Sequence, residues 1–279
     1  MSDYSYRRDY RGKVKALVLD WSGTVADAYV LSPVVVFVEI FKRFGVEISM
    51  SEARGPMGMR KDVHIRTLTE DPSIRARWHK AHGRYPDQSD VDAMFKAAVP
   101  VQLDCLPEYT ELLPGIAEVT QRLQSNGIKI GSTTGFTREM VAILEKAAIP
   151  QGYTPDCSIA GDDVENGSRP APFMLYRNLD LMNVFPIQSV VKVDDTTTGI
   201  HEGLNAGCWT VGVTRYSNYM DVNSVEEANQ LSADEIARRK THTADILIKS
   251  GAHYTIDSLA DIEPVIEDIN RRLAAGERP

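Results

Sequence analysis

The chain has 279 residues, enough for one or two domains, and 43 % of them are apolar, which suits a packed core and excludes a disordered chain. A formal net charge of −8 disfavours non-specific binding to nucleic acid, and no apolar run approaches the ~20 residues of a membrane helix. Three widely spaced cysteines, Cys105, Cys157 and Cys208, form neither a zinc pattern nor a disulfide frame; with no apolar stretch behind the basic N-terminus, the sequence reads as a cytoplasmic protein with reduced thiols.

The first element is a buried strand over 14–19 that ends at Asp20 and runs into a small, flexible "SGT". Residues 32–44 set Phe37, Ile40, Phe41 and Phe44 at helical spacing. Ser32 is the expected N-cap and Pro33 the first helical residue. This helix is more apolar than one buried stripe requires, which makes it the expected contact of a homodimer. Residues 51–99 keep helical periodicity and hold no convincing strand. From about 106 onward strands (128–132, 157–160, 190–193, 209–213) alternate with helices (116–124, 138–146, 173–182, 200–206). A helix with a capping box at Ser232 and Glu235, a strand over 253–256 and a helix ending near Leu273 complete the chain. The expectation is an α/β fold: a doubly wound parallel-sheet core (1–28 and 106–279) with an all-helical cap (29–105) inserted after the first strand.

In such sheets ligands bind at the carboxyl ends of the strands, and four of those ends carry chemistry. Asp20 closes the first strand and is placed to act as a nucleophile toward phosphorus. "GSTTGFT" (131–137) offers hydroxyls and backbone N–H groups to a phosphate at a strand end and helix start. In "GSRPAPFM" (167–174), Arg169 stands at the expected start of a helix, where a cation opposes the dipole unless an anion lies nearby. "VVKVDDTTTG" (190–199) ends a buried strand in Asp194 and Asp195, a pair that repels unless a cation compensates, with Mg2+ the natural candidate.

These four motifs, in this order, resemble the haloacid dehalogenase superfamily. The resemblance implies that Asp20 forms an aspartyl phosphate and that Asp20, the Ser22 carbonyl and Asp195 hold Mg2+, with Asp194 close by. It implies that Thr134 and Arg169 bind the phosphoryl oxygens. Ser22 departs from the usual pattern, in which an aspartate at that place protonates the leaving alkoxide. Losing a general acid costs ~10²–10⁴-fold in rate.

The expected cap supplies an alternative chemistry. Met57, Lys61, His64 and Leu68 recur at i, i+4, i+7 and i+11 and so share one face of an expected helix. A desolvated lysine on that face can form a Schiff base with a carbonyl. If the substrate carries phosphorus beta to an aldehyde, a protonated imine accepts the electrons of the breaking C–P bond, no oxygen leaves, and no acid is needed at Ser22.

"DWSGT", "PMGMRKDVH", "GSTTGFTREM" and "SRPAPFM" look very like the phosphonoacetaldehyde hydrolase family over nearly the whole chain. That resemblance implies hydrolysis of phosphonoacetaldehyde to acetaldehyde and phosphate by a Mg2+-dependent enzyme that is usually a homodimer. It implies Asp20 as nucleophile, Lys61 as imine former and His64 as proton shuttle. Substrate contacts then fall to Ser22, Met57, Gly58, Thr134, Gly135, Phe136 and Arg169, with Met57 and Gly58 at the cap–core seam. Ser22 replaces a usual alanine, and Phe136 stands where tyrosine is common. Two other readings remain open: a phosphatase or phosphotransferase acting on a small phosphate ester, and a non-catalytic binder of a phospho-ligand.

Overall fold

The computed structural model describes residues 9–279; the first eight residues of the basic N-terminal stretch lie outside the described residues. Strand β1 (Ala16–Leu19) is buried on both faces, as its unbroken apolar run requires. Five cap helices follow it: α1 (Leu31–Arg43), α2 (Met50–Arg54), α3 (Lys61–Glu70), α4 (Pro72–His82) and α5 (Gln88–Cys105). They enclose their own apolar cluster, built on Phe37, Ile40, Phe41, Ile65, Trp78 and Met94. The alternating part then runs α6 (Ile116–Ser125), β2 (Lys129–Thr133), α7 (Arg138–Ala148), β3 (Cys157–Ile159), α8 (Phe173–Met182), β4 (Val190–Asp194), α9 (Thr197–Ala206) and β5 (Trp209–Val213). Helices α10 (Val225–Gln230) and α11 (Ala233–Lys249), strand β6 (Tyr254–Ile256) and helix α12 (Ile262–Ala274) end the chain.

The six strands form one parallel sheet in the order β3-β2-β1-β4-β5-β6. From β1 the chain goes outward to β2 and β3, then returns to β4 on the opposite side. Strands β1 and β4 therefore diverge at a topological switch point, where a crevice opens at their carboxyl ends. Among the described residues no helix is long and apolar enough to cross a membrane. All three cysteines are free thiols.

Three local expectations change. Helix α1 is capped by Asp27, whose carboxylate accepts from the N–H groups of Leu31 (3.0 Å) and Ser32 (3.2 Å); Ser32 lies inside the helix, and its hydroxyl accepts from Gln102. The apolar excess of α1 is absorbed within the cap, since Val34, Val36, Phe37, Ile40 and Phe41 are buried and only Val35 and Val38 are half-buried. Helix α3 starts at Lys61, so Met57 and Gly58 sit in the preceding turn and not on its face. Gly58, at φ +88°, supplies the left-handed residue of that turn.

Losing an N-cap costs about 0.5–2 kcal/mol. Asp27→Ala is expected to lower the unfolding free energy by about that amount in urea titrations, with Asp27→Asn retaining most of it. An Asp27→Ala protein as stable as the parent would contradict the capping role.

Candidate active site

Asp20 follows β1 directly and is held there by its backbone N–H, which donates to the Val193 carbonyl at 3.0 Å. Its carboxylate receives the Arg169 guanidinium at 2.8 Å. Arg169 lies four residues before α8 and not at its start. The anions its position calls for are present: it also pairs with Asp194 (3.2 Å) and with Glu202 of α9 (3.0 Å). Behind it, fully buried Lys192 in β4 bridges Asp194 (3.1 Å) and Glu202 (3.2 Å) and donates to the Thr133 hydroxyl at 2.7 Å. Lys192 and Glu202 were not singled out from the sequence. The signal available was a lysine inside the otherwise apolar run "VVKVDD".

Four buried carboxylates, Asp20, Asp194, Asp195 and Glu202, thus face two buried cations, Arg169 and Lys192. Carboxylate oxygens of Asp20, Asp194 and Asp195 lie within 4.8 Å of one another. Their roles differ. Asp194 is committed to Arg169, Lys192 and the N–H and hydroxyl of Thr196. Asp195 accepts the Asn218 N–H at 2.7 Å through one oxygen, and its other oxygen is buried with no partner. Burial, then the charges of Asp194 and Asp20, push the Asp195 pKa well above the carboxylate range. An orphaned carboxylate oxygen beside Asp20 fits a hard cation.

Of the three hydroxyls at the end of β2, one faces the site. Ser132 accepts the Trp21 indole N–H at 2.9 Å, and Thr133 belongs to the ion network. Thr134 lines the cavity beside Asp20. Trp21 packs edge-on against Tyr153 in the core and does not line this cavity.

The cap closes over this floor. Thr198 donates to the Met57 carbonyl at 3.2 Å. A Cβ on Gly58 would meet the Thr196 hydroxyl at 2.6 Å, and one on Gly135 would meet the Met59 carbonyl at 2.4 Å. Both glycines are required by the backbone approach of cap to core. The seam holds a small pocket of about 20 Å³ lined by Asp20, Ser22, Met57, Gly58, Lys61, Thr134, Gly135, Phe136, Arg169 and Asp195, among others. Every expected site residue except His64 and Asp194 is on this wall.

Lys61 enters from the cap. It is buried, and its Nζ lies over the rings of Phe136 (4.4 Å) and Phe37 (5.3 Å), with no salt bridge among the described residues. Burial lowers its pKa to about 8, against the pull of Asp20 and Asp27. As the first residue of α3 it also opposes the helix dipole. His64 stands behind Phe37, stacked on its ring at 3.8 Å. Its Nε2 donates to the Ala53 carbonyl (2.9 Å), and its Nδ1 is buried without a partner. Burial, with the Lys61 charge, holds it neutral with a pKa well below the usual range.

An aspartate at the end of β1, a hydroxyl and a guanidinium beside it, and an acidic pair meet at a sheet switch point beneath a helical cap, and residues 14–207 match the family described as haloacid dehalogenase-like hydrolase. The chain is 43 % identical to a phosphonoacetaldehyde hydrolase of Paraburkholderia xenovorans, over 95 % of this chain and 99 % of that one. It is 41 % identical to one from Nitratidesulfovibrio vulgaris, over 100 % and 99 % respectively. The crystal structure of a phosphonoacetaldehyde hydrolase-like protein from Oleispira antarctica superposes with a TM-score of 0.95 at 39 % identity, covering 99 % of both chains. The chain therefore belongs to the phosphonoacetaldehyde hydrolase family, and it is an enzyme.

Asp195→Asn is expected to fold but to lose the thermal stabilisation that Mg2+ gives the parent protein, because a ligand that binds only the native state raises its melting temperature. An unchanged Mg2+ shift in that variant would remove Asp195 from the cation site.

Proposed function

We propose that the protein hydrolyses phosphonoacetaldehyde to acetaldehyde and phosphate through an imine at Lys61 and a phosphoryl group carried on Asp20. The observation that carries this reading is Lys61 itself: a buried amine with no salt bridge among the described residues, set on aromatic faces within the same pocket as Asp20. A phosphomonoesterase has no use for that amine, and it lacks an acid at Ser22.

The phosphonate group seats on Asp20, its oxygens taking hydrogen bonds from Arg169 and Thr134. Neutral Lys61 adds to the aldehyde, and loss of water gives the protonated imine. The Asp20 carboxylate attacks phosphorus while the C–P electron pair flows into the imine, leaving an enamine on Lys61. Protonation of the enamine carbon gives the product imine, and water releases acetaldehyde and regenerates the amine. A second water cleaves the aspartyl phosphate. Asp20, the Ser22 carbonyl and Asp195 would hold Mg2+, which would supply positive charge to the phosphoryl oxygens. His64, neutral and with a free Nδ1, is the proposed proton carrier for the enamine step. Homodimerisation is proposed with the family.

Two outcomes are expected. Lys61→Arg, which keeps the charge but cannot form an imine, abolishes C–P cleavage while the melting temperature and its Mg2+ shift persist; retained turnover would eliminate the imine. The neutral fraction of Lys61 grows as pH rises toward about 8, so kcat/KM is expected to climb up to about that pH and level off above it. A profile flat through that region would contradict a neutral-lysine nucleophile.

A further inference from the structure

Helix α2 ends in a buried arginine, Arg54, whose side chain leaves the cap and enters the core. A buried guanidinium needs acceptors for its fork of N–H groups. Arg54 finds them on the linker that leads into α1 and on the core loop after β5. Its Nη1 donates to the Tyr29 carbonyl at 2.7 Å and to Asn218 Oδ1 at 3.2 Å, and its Nη2 donates to the Val222 carbonyl. Asn218 returns a bond, its Nδ2 donating to the Arg54 carbonyl at 3.1 Å. Both ends of the Asn218 amide are thus held by one cap residue. Arg54 also pairs with Asp221 at 3.7 Å, but that carboxylate is exposed, so the grip is made chiefly by neutral oxygens.

Asn218 is in turn the residue that holds Asp195. Its backbone N–H donates to Asp195 Oδ2 at 2.7 Å, and the hydroxyl of Ser217 beside it donates to the Asp195 carbonyl at 2.8 Å. Asp195 Oδ1 is the oxygen left without a partner, in the cluster with Asp20 and Asp194. A chain of three buried residues, Arg54, Asn218 and Asp195, therefore runs from the cap to the cation site, and neither Arg54 nor Asn218 lines the pocket.

We propose that Arg54 is a positioning residue for the cation site: by clamping Asn218 it aims the Asn218 N–H at Asp195 and leaves Asp195 Oδ1 free for Mg2+. The cap then serves both halves of the reaction, through Lys61 at the carbonyl and through Arg54 at the cation. The inference rests on the reading of Asp195 as a Mg2+ ligand. Groups behind a metal ligand fix its orientation, and losing one costs about 10–100-fold in metal affinity.

The test is titration calorimetry of the free enzyme with Mg2+ alone, on the parent, Arg54→Met, Arg54→Lys and Asn218→Ala. Methionine fills space without donating, lysine keeps the charge without the fork, and alanine removes the amide while keeping the backbone N–H. Each variant is expected to raise the Mg2+ dissociation constant at least about tenfold. Combining Arg54→Met with Asn218→Ala should weaken binding no further than the worse single change, because both break one clamp. Parent-like Mg2+ affinity in variants whose melting temperature alone has fallen would reduce Arg54 to a tether between cap and core. Parent-like affinity in Arg54→Lys would show that charge suffices, and additive losses in the double variant would separate the two residues; each result overturns the clamp. Should the Arg54 variants fail to fold, Asn218→Ala decides by the same criterion. A parent protein that binds no Mg2+ would remove the cation reading itself, a different result from any of these.

Discussion

The structure depends on negative charge buried at the switch point between β1 and β4. Carboxylates leave water only where cations and hydrogen bonds compensate them, and Arg169 and Lys192 compensate two of the four present there. The sheet supplies the geometry of the others. Asp20 and the Asp194–Asp195 pair close adjacent strands whose register sets Leu19 against Val193, and Asp195 keeps an oxygen that no protein group satisfies. That arrangement is costly in the absence of a cation and suited to a site that collects a metal and a phosphoryl group together. The Lys192–Glu202 pair has no direct contact with the cavity. It fixes Arg169, which in turn orients the Asp20 carboxylate.

The cap answers this floor with a second imposed condition. Lysine ammonium groups are stable in water or in a salt bridge, and Lys61 is buried with no salt bridge among the described residues. Burial lowers the pKa of this amine across the cavity from Asp20. Ser22 is coherent with that design. Where electrons are drawn into nitrogen, an acid beside the nucleophile has no leaving oxygen to protonate. The glycine seam at Gly58 and Gly135 then does what neither half can do alone, bringing the amine and Asp20 into one small volume.

Much of this was legible in the sequence because it is periodic or terminal. Buried parallel strands are continuous apolar runs, and β4 and β5 fall where those runs predict. Carboxylates at strand ends stand out against them, which is why Asp20, Asp194 and Asp195 could be singled out. Less legible were features set by three-dimensional closure. The spacing of Met57, Lys61, His64 and Leu68 suggested one continuous helical face, yet Gly58 breaks it and puts Lys61 at a helix start. Ser32 looked like a cap in a local pattern, whereas Asp27 performs that role from four residues before Leu31. The apolar surplus of α1 pointed outward to a partner, and the cap core takes up most of it. Lys192 and Glu202 come together only because β4 and α9 pack side by side, a relation that no local pattern carries.

The central claim is that the cap lysine becomes covalently joined to the carbonyl carbon during catalysis. The most direct measurement is borohydride reduction of the unmodified enzyme in the presence of phosphonoacetaldehyde, followed by peptide mass analysis. The account predicts irreversible loss of activity with a reduced adduct confined to Lys61. Phosphate release continuing under borohydride, with Lys61 unmodified, would contradict it.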